Sequence, residues 1–377
     1  MPKIALLGGS NSVLKDGLKA GLSKNAELYN YALGASTSLQ NLHELIKNTE
    51  FIRSADCIVT ESNVNDFHSV WLADFSIHIV LNNIDKYYEM LAMANTKVLV
   101  IIMPLVSTCD IADRINQQHM LNIRRYDFSY INLDYLISND ELLTFYVRDI
   151  GHPNKYLMNL IGQNIVDNLN ILPNRVISGI EQLNEYKTLD AKDFLLDIKT
   201  KNNSIFSRDV ITLKSTINFK ECYYGYDILG VEAWSDGYSK LKINDDYIKA
   251  YNNELQFHDL SSKIEIDEYT QLSSDCSNQL PTEFSLNAYL IDSLFIIDSK
   301  PEKQIYPLRL SSILLCKKIK ESEPMNLIQD NSFDCYFLVP DLKLLHSFYL
   351  ESKYKKVRWK KRVRDFIRNK YIKMMKN

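Results

Sequence analysis

Over the first 170 residues, short apolar runs alternate with stretches of helical periodicity. Residues 4–7 (Ile-Ala-Leu-Leu) read as a buried strand, and Val13, Leu14, Leu18 and Leu22 recur at helical spacing across 12–22. A second strand follows at 27–33, ended by Gly34. Leu39, Leu42, Leu45 and Ile46 then mark one face of a helix over 37–49, with Ser38 as its candidate cap. The series continues with a strand at 55–60, a helix at 75–94 and an apolar strand at 97–103 stopped by Pro104. A helix at 111–126, a strand at 129–133 and a helix at 154–169, before Pro173, complete it. Strand–helix repetition with short links predicts an α/β unit with a parallel sheet covered by helices. The all-apolar strand at 97–103 suits a parallel strand buried on both faces. In such sheets ligands gather beyond the carboxyl ends of the strands, where Ser10, Gly34 and Asn65 all fall.

The texture changes after about residue 174. Residues 173–204 carry only weak helical pattern and read as a connector. From 205 to 342 the apolar segments are short and β-rich, at 210–213, 229–233, 239–243, 264–266, 284–289 and 294–297. Ser235-Asp236-Gly237 and Asn244-Asp245-Asp246 supply turns, so an antiparallel sandwich is expected. Tyr223, Tyr224, Tyr226, Trp234 and Tyr238 cluster there. They read either as sandwich packing or as an aromatic platform for sugars.

Charge separates one more piece. The chain carries −3 overall, yet residues 351–377 hold twelve Lys/Arg against Glu351 and Asp365, a local +10 that leaves −13 on the other 350 residues. Within 343–377, Trp359, Val363, Phe366, Ile367 and Tyr371 form an apolar stripe among cations. This basic amphipathic tail is expected to be helical and, through 353–376, to meet an anionic membrane surface. Nucleic acid is disfavoured as a partner, because the acidic body would repel phosphate. The opening apolar run is too short for a signal peptide and no run of about 18 apolar residues occurs. The expected location is cytoplasmic, with peripheral attachment at the inner membrane face. Six scattered cysteines with no C-x-x-C predict reduced thiols, with no metal site and no disulfide framework. No cofactor is expected.

Candidate chemistry comes from a serine and a histidine far apart in sequence. Ser10 stands at the end of the first strand in Gly8-Gly9-Ser10-Asn11-Ser12, and Asp149-Ile150-Gly151-His152-Pro153-Asn154 follows 139 residues later. A hydroxyl needs a base to take its proton and donors aimed at the oxyanion that forms on the attacked carbonyl. Ser10 could instead only cap the following helix, and Asn65-Asp66 could be a plain turn. His68, three residues after Asn65, reads as a solvated loop histidine or else as a residue lining the pocket, and Lys15, Asp16 and Lys19 as a wet helix face.

Four blocks, in order, resemble the SGNH (GDSL-like) hydrolase family over residues 1–172. They are Gly9-Ser10-Asn11-Ser12, Ala32-Leu33-Gly34-Ala35-Ser36, Glu61-Ser62-Asn63-Val64-Asn65-Asp66 and Asp149-Ile150-Gly151-His152-Pro153. Gly9 replaces the usual aspartate of the first block, and Asn63 the usual glycine of the third. The resemblance implies a flavodoxin-like five-stranded parallel sheet with helices on both faces. It implies Ser10 as nucleophile, His152 as base and Asp149 as the partner that orients it. Ser10, Gly34 and Asn65 would form the oxyanion hole. The expected function is a serine esterase cleaving an acyl ester, acetyl by preference, on a carbohydrate. Two alternatives stand beside it. One is an O-acetyltransferase of bacterial surface polysaccharide biosynthesis, using the same triad with acyl-CoA as co-substrate; the other is a non-catalytic glycan-binding or scaffold protein. Hydrolysis and transfer differ in how well the site excludes water, which sequence does not encode locally.

Overall fold

Why Ser10 and His152 can meet is answered by the first sheet of the computed structural model, which describes residues 1–105, 109–137, 146–147, 151–174, 182–252, 255–274, 279–284, 304–320, 330–347 and 350. Lys3–Leu7 (β1), Glu27–Asn30 (β2), Cys57–Thr60 (β3), Lys97–Ile102 (β4) and Ser129–Asn132 (β5) run parallel in the order β2-β1-β3-β4-β5. The helices between them are Ser10–Val13 (α1), Leu18–Leu22 (α2), Ser38–Lys47 (α3), Thr49–Arg53 (α4), Asn63–Trp71 (α5), Ile77–Met93 (α6), Asp110–Arg125 (α7), Leu133–Leu136 (α8) and Lys155–Asp167 (α9). The strand period of two divides the core. Ala5, Leu7, Ile58, Val98 and Val100 face Leu39, Leu42, Ile84 and Leu91 of α3 and α6. Ile4, Leu6, Val59, Leu99 and Ile101 face Leu18, Leu22, Ile161 and Ile165 of α2 and α9. This is the doubly wound α/β architecture expected.

Two local expectations are corrected. The helix expected over 12–22 is broken: the chain leaves helical geometry at Leu14 (ψ 123°) and re-enters after Gly17. The i, i+4 apolar spacing spans that break and so concealed it. Thr37, not Ser38, caps α3, its hydroxyl accepting from Leu39 N at 3.3 Å.

Helices α2 and α9 cross at two glycines. A β-carbon on Gly21 would lie 2.1 Å from the Asn159 carbonyl oxygen, and one on Gly162 would lie 2.7 Å from the Leu18 carbonyl oxygen. Both obstacles are backbone, so the helices would have to move apart. Since α1 begins at Ser10 and α9 follows His152 by three residues, this crossing sets the distance between the two sides of the site. Gly162→Ala is expected to destabilise the protein by about 1–3 kcal/mol through overpacking. Urea unfolding measures it, and a wild-type midpoint would contradict the tight crossing.

The second unit is built from Asn184–Asp190 (β6), Ile198–Asn202 (β7), Ser207–Thr212 (β8), Ile217–Asn218 (β9), Asp227–Trp234 (β10), Ser239–Ile243 (β11), Tyr247–Tyr251 (β12), Leu255–Glu265 (β13), Gln271–Ser274 (β14), Glu283–Phe284 (β15) and Arg309–Lys318 (β16). One sheet runs β13-β10-β16-β8-β7, with β6 also on β16; the other runs β15-β12-β11-β14-β9. Val231, Ala233, Ile313 and Leu315 meet Leu241, Ile243 and Leu272 between the sheets. The opposite face of the first of these sheets is buried too. Leu314, Cys316 and Phe257 pack into the core that contains α3 and α6. The two units therefore share a core.

The expected boundaries need revision. The connector expected at 173–204 contains β6 and β7, whose polar alternation hid them. The β-rich unit does not extend to 342, because Phe333–Asp334 (β17) pairs in parallel with β5 and makes the first sheet six-stranded. Leu338 and Leu342 then pack beside α9. The strand expected at 294–297 and the tail at 353–376 lie outside the described residues, as does most of the strand expected at 284–289. Among the described residues no helix is long and apolar enough to cross a membrane.

Candidate active site

Ser10 is the first residue of α1, delivered by β1 through Gly8-Gly9 to the carboxyl edge of the sheet. Its Oγ lies 2.8 Å from His152 Nε2. The chain separates these residues by 142 positions, so the contact is a product of the fold. The capping reading of Ser10 does not hold: Gly9 occupies the cap position and no side chain caps α1. Asn11 ties the two sides together, its Nδ2 donating to the Gly151 carbonyl at 3.0 Å, next to His152. Gly151 is packed under Val64 and His68, so a β-carbon there would lie 2.6 Å from Val64 Cγ1. Pro153 bridges to Val147, and Asn154 caps α9 by accepting from Tyr156 N at 2.9 Å. Asp149 lies outside the described residues.

Two other strand ends approach the turn that carries Ser10. Leu33 N donates to Gly8 O at 3.0 Å, which lays the loop after β2 against the turn that carries Ser10. Among the described residues no acceptor is bonded to the N–H of Ser10 or of Gly34. A β-carbon built on Gly34 meets nothing within 4 Å, so its surroundings are open. Asn65 stands in the first turn of α5 rather than in a plain turn, and its Nδ2 donates to Ser36 O at 2.8 Å. An amide nitrogen carries a second hydrogen, which remains for a ligand.

The two departures from the family pattern have local explanations. A β-carbon on residue 9 would lie 2.0 Å from Asn65 Nδ2, so only glycine leaves room for that amide. Asn63 is fully buried and ties the start of α5 to the residue after β4: its Oδ1 accepts from Met103 N at 3.0 Å and its Nδ2 donates to Met103 O at 2.9 Å.

Sequence reading missed Glu61. Its Oε1 accepts from Gly9 N and from Ser12 Oγ, both at 2.8 Å, beneath the Ser10 turn. Its Oε2 is buried without a hydrogen-bond partner among the described residues. Burial pushes the carboxyl pKa up, against the two hydrogen bonds, which pull it down. Folding therefore favours the protonated form. That contribution is intact below the ordinary carboxyl value of 4.5 and is lost as pH rises from there toward the folded value. Glu61→Gln keeps one acceptor and cannot ionise. The stability of this variant relative to wild type is expected to increase as pH rises from 4.5 to the folded value and to level off above it. Parallel stability–pH curves from urea titrations would refute this.

Other candidates fall elsewhere. His68 is buried on α5 rather than solvated, beside the stacked rings of Phe67 and Trp71. Asp16 is exposed and pairs with Lys155 at 2.7 Å. Tyr226 and Trp234 are buried, and the Lys187 and Lys317 ammonium groups sit 4.6 and 5.4 Å from the Tyr226 ring centroid. These two members of the cluster are therefore packing and offer no open sugar platform. His43, Glu44 and Glu232 converge as a metal site would, but Arg208 already lies 3.1 Å from each carboxylate and Lys47 3.6 Å from Glu232. The cations in place there are the protein's own.

No family model matches the sequence, and no curated protein matches it. In structure the chain is similar to a lipase/acylhydrolase from Enterococcus faecalis (16% identity, TM-score 0.38, covering 46% of this chain and 99% of that one). It is similar to an acetyl xylan esterase at 14% identity and TM-score 0.33, covering 45% of this chain and 98% of that one. A GDSL-like lipase from Bacteroides thetaiotaomicron gives 14% identity and TM-score 0.35, covering 45% of this chain and 86% of that one.

Proposed function

We propose that this chain is a serine esterase of SGNH type, with its reaction centre at the carboxyl edge of the parallel sheet. The observation that carries the reading is the 2.8 Å contact between Ser10 Oγ and His152 Nε2. In the proposed cycle, Oγ attacks the acyl carbonyl as His152 Nε2 takes its proton. The tetrahedral oxyanion is met by the N–H groups of Ser10 and Gly34 and the Asn65 amide. Collapse expels the alcohol, which receives the proton from His152, and leaves an acyl-serine. Water then attacks, deprotonated by His152, and the acid leaves with Ser10 restored. Asp149 completes the triad in this reading by holding the imidazole tautomer.

Acetyl is the acyl group proposed, carried on a carbohydrate hydroxyl. A fluorophosphonate should label the protein, with the adduct mapping to the peptide that contains Ser10. Acetate release from an acetylated oligosaccharide should exceed release of octanoate from its p-nitrophenyl ester. A label on another serine, or none, would overturn the assignment.

A further inference from the structure

The loop that carries Gly34 continues directly into α3, and α3 is buried on all sides from Ser38 to Leu45. Its outer side meets the β-rich unit. His43 Nε2 lies 2.6 Å from Ser312 Oγ, and Arg208 Nη2 lies 3.1 Å from Glu44 Oε1. Among the described residues, three of the loop's anchors follow Gly34 at successive residues. Two come from α5: Asn65 Nδ2 donates to Ser36 O at 2.8 Å, and Ser38 N donates to Asp66 Oδ1 at 2.8 Å. The third crosses from the other unit. Thr37 Oγ1 donates to both carboxylate oxygens of Asp259 on β13, at 2.7 and 2.8 Å, a buried contact spanning 222 residues of chain.

Between Gly34 and these anchors stands Ala35 at φ +55°, a left-handed conformation that a residue with a β-carbon keeps only where its neighbours hold it. Asp259 is itself fixed. Its backbone carbonyl accepts from Lys249 Nζ, which also pairs with Glu283. A β-strand of the second unit thus grips the residue three positions after Gly34.

We propose that the β-rich unit is a working part of the reaction centre: the Asp259 carboxylate clamps the Thr37 hydroxyl and so fixes the Gly34–Ser36 loop with the Gly34 N–H aimed at the oxyanion. The inference rests on the oxyanion role proposed above for Gly34. Asp259 touches no reacting atom and is a positioning residue. Oxyanion donors act in the transition state more than on bound substrate, so the effect belongs in kcat.

Asp259→Ala and Thr37→Val are each expected to lower kcat roughly 10- to 100-fold, the scale of a displacement near 1 Å, with KM within about twofold. Their combination should be no worse than either alone, because both remove one contact. Asp259→Asn retains an oxygen that accepts from Thr37, and should restore kcat to within about threefold of wild type. Hydrogen exchange of the peptide 32–39 should quicken in Asp259→Ala and not in Asp259→Asn. Wild-type kcat in folded Asp259→Ala and Thr37→Val, or unchanged exchange at 32–39, would overturn the proposal. Absence of esterase activity in the wild type would count against the function reading instead, and the exchange measurement would then decide the clamp alone.

Discussion

Replacing Ser10 with alanine is expected to lower ester turnover by roughly 10⁴- to 10⁶-fold, the scale seen when a nucleophile that works as a unit with its base is removed. The size of the loss follows from what the neighbouring hydroxyls are doing. Ser12 is buried and its Oγ donates to Glu61, beneath the turn and not toward His152. Ser36 Oγ faces the Gly34 carbonyl at 3.3 Å, and Ser38 Oγ donates to Asp66 at 2.7 Å. No hydroxyl among the described residues stands ready to replace Oγ beside the imidazole. The fold should be indifferent to the change, since Ser10 caps nothing and, among the described residues, its one side-chain bond is to a half-buried histidine. His152→Ala should cost about as much, and the double variant no more than the worse single. Initial rates with p-nitrophenyl acetate, together with unfolding midpoints, would check this. A variant of wild-type stability retaining a tenth of the activity would end the assignment of Ser10.

How much of this was legible in sequence depends on the distance over which each signal acts. β1, β3 and β4 are short apolar runs buried on both faces, and periodicity alone placed them within two residues at each end. Ser10, Gly34 and Asn65 could be assigned to one edge because parallel strands put their carboxyl ends on the same side. Asp-x-x-His brought His152 into the reading by resemblance, and the fold places its ring against Ser10. Glu61 carried no signal: a lone acid after a strand is read as surface until its partners, Gly9 N and Ser12 Oγ, are known. Asp259 and Thr37 are 222 residues apart and each is unremarkable alone. The edge strand β7 is mostly exposed and polar, and β17 is two residues long, so neither has a pattern to find. Gly21 and Gly162 were equally silent, since a helix crossing needs both partners to be seen.

Gly9→Ala is expected to cut kcat about 10²- to 10³-fold, the loss that accompanies removal of one oxyanion donor. The new methyl would fall 2.0 Å from Asn65 Nδ2 and 3.3 Å from Ser36 O, so the amide must yield. Asn65 is 5% exposed, with its amide bonded to Ser36 O, which leaves it little room to turn. Pushing it aside removes a donor while leaving Ser10 Oγ and His152 Nε2 in contact. The nucleophile would still form, but the charge it creates would meet fewer N–H groups. Asn65→Ala removes the same donor without adding volume, so its kcat should fall to a similar level. Adding Gly9→Ala to Asn65→Ala should then cost little more, because the atom that the methyl displaces is already gone. That non-additivity distinguishes a shared donor from two separate injuries. If the two losses instead multiply in the double variant, glycine at position 9 serves something other than room for the Asn65 amide.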